Sequence, residues 1–129
     1  MKGSSRPRPE SGVELYAWVF MRLSGILLLV LALVHLFVMH VVNNVDAIDF
    51  RFVAQRYATP FWRTFDLMML WLALIHGLNG LRTVVIDYVR PRGWRFASLA
   101  SIYVIGFVFL ALGSLVILTF EPSKFALAR

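Results

Sequence analysis

Three long apolar runs separated by short polar stretches set the pattern of this chain. A helix needs roughly 20 apolar residues to cross a bilayer, and each run meets that length. The first span is expected over about residues 15–42, with Arg22 in its early part and LSGILLLVLALVHLFVMHVV as its core. Asn43, Asn44, Asp46 and Asp49 end it. The second is expected over about 65–89, carrying His76, Arg82 and Asp87, and stopped by Pro91 and Gly93. The third, about 96–120, holds no charged residue. Between the first two lies a polar loop, 43–64, with a short amphipathic helix predicted around DFRFVAQRYATPFWR. Its Pro60-Phe61-Trp62 reads as an interfacial anchor. RPRGWR, residues 90–95, reads as a tight basic turn.

The first twelve residues are polar and read as a flexible tail. The apolar run behind them is too long for the h-region of a secretory signal, and no small-residue cleavage site follows it. No repeat or low-complexity segment breaks the pattern. The expectation is an all-α integral membrane protein, one domain over residues 1–129, with three transmembrane helices.

Composition narrows the function. Of 129 residues, 60% are hydrophobic and 16% charged, against about 25% charged in a soluble domain. Mean hydropathy is +0.74. Three spans occupy about half the chain and leave no room for a soluble catalytic domain. The absence of cysteine excludes disulfides, thiolate zinc sites, c-type haem and iron–sulfur clusters ligated by this chain. The formal charge of +6 comes from basic residues that flank the apolar runs, so it reads as membrane topology rather than nucleic-acid binding. Eight of them (Lys2, Arg6, Arg8, Arg22, Arg82, Arg90, Arg92, Arg95) fall on one side of a three-span arrangement. Five (Arg51, Arg56, Arg63, Lys124, Arg129) fall on the other. The positive-inside rule then predicts a cytoplasmic N-terminus and an external C-terminus in the plasma membrane.

Ionisable groups within a span are costly and point to function. His76 is expected near mid-membrane, roughly 16 Å from the cytoplasmic end of its helix. It can simply hydrogen-bond a neighbouring helix, but His76, Gly80, Thr83 and Asp87 share one helical face. A glycine there lets a flat macrocycle or another helix approach, and a neutral imidazole is a common axial ligand of haem iron. Arg22 and Arg82 either snorkel to headgroups or pair with haem propionates. Tyr88 is an interfacial anchor or a hydrogen-bond donor to a quinone carbonyl, with Asp87 beside it able to orient the donor or relay a proton. His35 and His40 lie about 140° apart on the first span, as packing residues or second haem ligands.

HGLNGLRTVVIDY, from His76 to Tyr88, resembles the H-x-x-x-G…D-Y signature of the D-type hydrophobic membrane anchor of succinate dehydrogenase (succinate:quinone oxidoreductase). R-L-S-G at Arg22–Gly25 is similar to the arginine-led opening of these anchors, a weak motif by itself. Span number, order and length match over about residues 14–120. The resemblance implies a second anchor subunit that completes a haem-binding bundle, and iron–sulfur and flavoprotein subunits held at the cytoplasmic face. It implies that electrons from succinate reach quinone. It makes His76 an axial ligand of haem b, puts Arg22 near the propionates and gives Tyr88, with Asp87 beside it, to quinone. His35 and His40 leave open one haem or two.

Other classes remain at this stage. A transporter subunit predicts charges lining several spans, which the uncharged third span argues against. A structural anchor without redox cofactor, and the anchor of a fumarate reductase, are the nearer alternatives.

Overall fold

A computed structural model describes residues 12–121 and Ser123. The N-terminal tail and the basic residues Lys2, Arg6, Arg8, Lys124 and Arg129 lie outside the described residues. The described chain is all-helical: α1 (Gly12–Phe37), α2 (Phe50–Tyr57), α3 (Pro60–Tyr88) and α4 (Arg92–Thr119). Three stretches, Leu15–Val42, Pro60–Tyr88 and Arg92–Thr119, are long and apolar enough to cross a membrane.

Local chemistry sets the boundaries. A π-helical turn, Val38–Val42, prolongs α1. The backbone N–H and side-chain amide of Asn43 close it by donating to the carbonyl of Val38, at 3.2 and 2.7 Å. The Oδ1 of Asp49 accepts from the backbone N–H of Phe52 at 2.8 Å, capping α2. Pro60 occupies the first turn of α3, where its missing N–H has no intrahelical role and its fixed φ suits a helix start. Helix α3 thus begins about five residues earlier than the apolar pattern predicts, and Phe61 and Trp62 belong to its first turn rather than to a loop. The basic turn is likewise shorter than expected. Pro91 caps α4, so Arg92–Arg95 are already helical.

Helix α3 is the middle of an open layer. It packs antiparallel against α4 on one side and α1 on the other, while α1 and α4 barely touch. Two polar or tightly bounded ends result. One, here the turn end, carries the start of α1, Tyr88 and the α3–α4 connection. The other, the α2 end, carries the α1–α2–α3 connection and the close of α4.

The α3–α4 contact runs through glycines seven residues apart. A β-carbon on Gly106 would collide with Leu78, and one on Gly113 would lie 2.7 Å from Leu70 Cδ2. Without a hydrophobic drive between helices in lipid, such close backbone approach supplies the dispersion contacts that hold them. Trp71 Nε1 donates to Ser114 Oγ at 2.9 Å in the same interface. At the α2 end Arg63 binds three elements, donating to the carbonyls of Tyr57 (2.9 Å), Leu118 (3.3 Å) and Phe120 (2.6 Å). It thereby ties the close of α4 to α2 and α3.

Gly106→Ile is expected to overpack this interface and cost about 1–3 kcal/mol, read as a lower thermal midpoint in detergent. Gly93→Ala, which meets open space, should leave that midpoint unchanged or slightly raised.

Candidate functional site

The contacts between α1 and α3 form a polar ladder in antiparallel register. Met21 meets Gly80, Ser24 and Gly25 meet His76, and His35 meets Asp66. The register puts His76 about 18 Å along α3 from Tyr88, well inside the apolar span. Its Nδ1 lies 2.9 Å from the hydroxyl of Ser24, which is only 3% exposed. Its Nε2 has no hydrogen-bond partner among the described residues, and the ring is half-buried. A β-carbon on Gly25 would stand 3.3 Å from His76 Cε1. The glycine that admits this ring is therefore Gly25 of α1. Gly80 instead faces the methyl of Met21 at 3.9 Å, within the α1–α3 seam. The R-L-S-G tetrapeptide, uninformative as a motif, is the seat of the histidine.

Toward the turn end, Arg22 and Arg82 stand at similar depth on the two helices. Arg22 stacks over Trp18 at 4.1 Å. Among the described residues neither arginine has a carboxylate within ion-pair distance. Thr83 bonds back to the carbonyl of Asn79 at 3.1 Å and is exposed, so it joins no site with His76. Asp87 and Tyr88 are exposed at the end of α3, Tyr88 at 81%. They form no hydrogen bond with one another. Asn79, one turn from His76, is a polar residue that the sequence reading passed over. It is half-buried, and its side chain bonds nothing among the described residues.

The α2 end holds a second cluster that sequence reasoning missed. Arg56 donates to Asp66 at 2.9 Å and lies 4.0 Å over the ring of Trp62. The side chains are 5% and 12% exposed. His35 Nδ1 is 3.9 Å from the same carboxylate and is buried without a hydrogen bond, as is Arg56 Nε. Burial, and then the charge and hydrogen bonding of Asp66, push the Tyr57 phenol above its usual range, so it stays protonated at neutral pH. Beside the cluster a cavity of about 360 Å³ is lined by Val38, Asn43, Gln55, Arg56 and Trp62 among others. His40 is exposed on the π-helical turn, its Nδ1 3.2 Å from the carbonyl of Leu36. The available signal was Asp66 itself, an acid in the first turns of a span, with an arginine ten residues before it.

Residues 6–120, most of the chain, match the family described as succinate dehydrogenase/fumarate reductase transmembrane subunit. The chain belongs to that family. It is also similar to the succinate dehydrogenase hydrophobic membrane anchor subunit of Archaeoglobus fulgidus, at 30% identity over 78 residues. That alignment covers 60% of this chain and 66% of the relative, just under two thirds of its length. In this anchor the buried Arg56–Asp66 pair sits near the α2 end, about 15 Å along α3 from the mid-span His76, and it fastens α2 onto α3.

Removing one partner of a buried pair leaves an uncompensated charge and costs about 3–5 kcal/mol. Arg56→Met in the anchor should therefore destabilise it by about that amount in detergent unfolding. Arg56→Met combined with Asp66→Leu should recover most of the loss, since neither charge is then stranded.

Proposed function

We propose that this anchor is the D-type subunit of a succinate:quinone oxidoreductase. A second anchor subunit completes its bundle, and iron–sulfur and flavoprotein subunits dock at the turn end, on the cytoplasmic side. His76 would ligate the iron of haem b, and the second anchor would supply a further ligand. The observation that carries this reading is the imidazole itself. It is set deep in the span, with Nδ1 engaged by a buried hydroxyl and Nε2 without a hydrogen-bond partner among the described residues. Metal-ligating histidines are held in this way, by a hydrogen bond at the nitrogen that does not bind the metal. Two arginines toward the turn end, with no carboxylate within ion-pair distance among the described residues, suit a pair of propionates. The donor set thus fits the group.

Haem b, when bound, supplies a one-electron store within the membrane. Around it Ser24 and Gly25 fix the imidazole, and Arg22 and Arg82 neutralise carboxylates. Tyr88 offers its exposed hydroxyl to a quinone carbonyl at the cytoplasmic interface. Asp87 stands on the adjacent position, where it can hold or return a proton without touching the tyrosine. Succinate oxidation with quinone as acceptor is the direction proposed. A fumarate reductase would use the same parts. A second haem toward the α2 end is the less supported reading, because His35 turns Nδ1 onto the Asp66–Arg56 pair and His40 lies exposed near the span's end.

His76→Ala should abolish or strongly alter the b-type band in reduced-minus-oxidised spectra of the purified complex. An unchanged spectrum refutes the ligand assignment. Tyr88→Phe should slow quinone reduction roughly ten- to a thousandfold while succinate oxidation by a soluble artificial acceptor persists. Equal quinone reductase rates would return Tyr88 to the role of interfacial anchor.

A further inference from the structure

The hydroxyl of Ser24 has two neighbours, His76 Nδ1 at 2.9 Å and the backbone carbonyl of Met21 at 3.4 Å. A hydroxyl has one proton to give and lone pairs to offer. A neutral imidazole that binds a metal through Nε2 carries its proton on Nδ1. It then donates that proton to the Ser24 oxygen at 2.9 Å, and the serine's own proton has an acceptor in the Met21 carbonyl at 3.4 Å. The pair of neighbours therefore accommodates the tautomer that leaves Nε2, which has no hydrogen-bond partner among the described residues, free for a metal.

Ser24 is 3% exposed, so neither lipid nor water competes for this hydrogen bond. The next residue supplies the second restraint. Gly25 lets the ring edge lie against the α1 backbone, where a β-carbon would be 3.3 Å from Cε1 and 4.0 Å from Nε2. One hydrogen bond and one wall of bare backbone thus limit both the tilt and the rotation of the imidazole.

We propose that Ser24 is a positioning residue for His76, setting the tautomer and donor strength of the imidazole and hence the redox potential of the iron it binds. This inference rests on the reading of His76 as a haem ligand. An acceptor at Nδ1–H raises the basicity of the ligand. A more basic ligand favours the ferric over the ferrous state. Loss of the acceptor should therefore raise the midpoint potential. Only the part of that bond that differs between the two oxidation states counts, and one net hydrogen bond, about 0.5–1.5 kcal/mol, bounds it: the ferric-to-ferrous ratio at a fixed potential should fall by up to roughly tenfold. A serine that served only as packing between helices would leave that ratio alone when replaced by a side chain of similar volume.

The test is a redox titration of the haem in the purified complex, with Ser24→Cys and Ser24→Thr as the central pair. Cysteine keeps the volume and loses the strong acceptor, while threonine keeps the hydroxyl. The cysteine variant should titrate at higher potential than wild type and the threonine variant close to it. Ser24→Ala should follow cysteine, with altered low-spin ferric resonances. Equal potentials in cysteine and threonine variants overturn the proposal. His76→Ala separates the two readings. If it loses the haem while the Ser24 variants do not differ, only the role of Ser24 fails. If it keeps the haem unchanged, the ligand assignment fails first.

Discussion

A polar side chain in hydrocarbon has no water to turn to, so it must find its partner in protein. That constraint fixes how α1 meets α3. Ser24 can satisfy His76 only at one register, and the same register brings His35 to Asp66 and Met21 to Gly80. A slip of one turn, about 5.4 Å, would take the hydroxyl partner from His76 and move His35 away from Asp66. Apolar packing between α1 and α3 tolerates many alignments; these pairs select one. The hydroxyls of Thr64, Thr83 and Thr119 obey the same constraint more simply, each donating to the carbonyl four residues back.

Both sides of α3 combine shape with a few polar contacts. Against α4 it packs Leu78 and Leu70 on bare backbone at Gly106 and Gly113, with the Trp71–Ser114 bond inside the interface and Arg63 at its end. Against α1 the polar contacts are the Ser24–His76 bond and the approach of His35 to Asp66. Because α3 lies between its neighbours and they barely meet, the layer does not close on itself. Large apolar side chains such as Leu33, Phe37, Phe107 and Leu115 remain exposed, and their surroundings must be lipid or other helices.

Charge is used differently at the two ends. At the α2 end, arginines are structural: Arg56 is sealed against Asp66 and Trp62, and Arg63 gathers the carbonyls of Tyr57, Leu118 and Phe120. At the turn end, Arg22 and Arg82 have no carboxylate among the described residues. Among the described residues, the ion pairing thus lies at the α2 end, around Asp66.

The three spans, the amphipathic α2 and the positions of His76, Arg22 and Arg82 within spans, with Asp87 and Tyr88 at the end of one, were legible in the sequence. Each depends on properties local to a run of residues: apolar length, helical period, or an ionisable group where lipid makes it costly. Helix ends were displaced by a few residues at Pro60 and Arg92, because a proline in a first turn begins a helix as readily as it ends one. Which residues of α1 face His76 could not be read, since periodicity places a residue on a face without saying what lies opposite. Ser24 and Gly25 gained their meaning only when the antiparallel register set them against the imidazole. The same holds for Asp66. It reads as an ordinary interfacial acid until the fold carries Arg56, ten residues earlier, back across the start of α3 and brings His35 to the other side of the same carboxylate. Long-range pairing of single polar atoms is a property of tertiary structure, and here it decides both how the histidine is held and how the far end is locked.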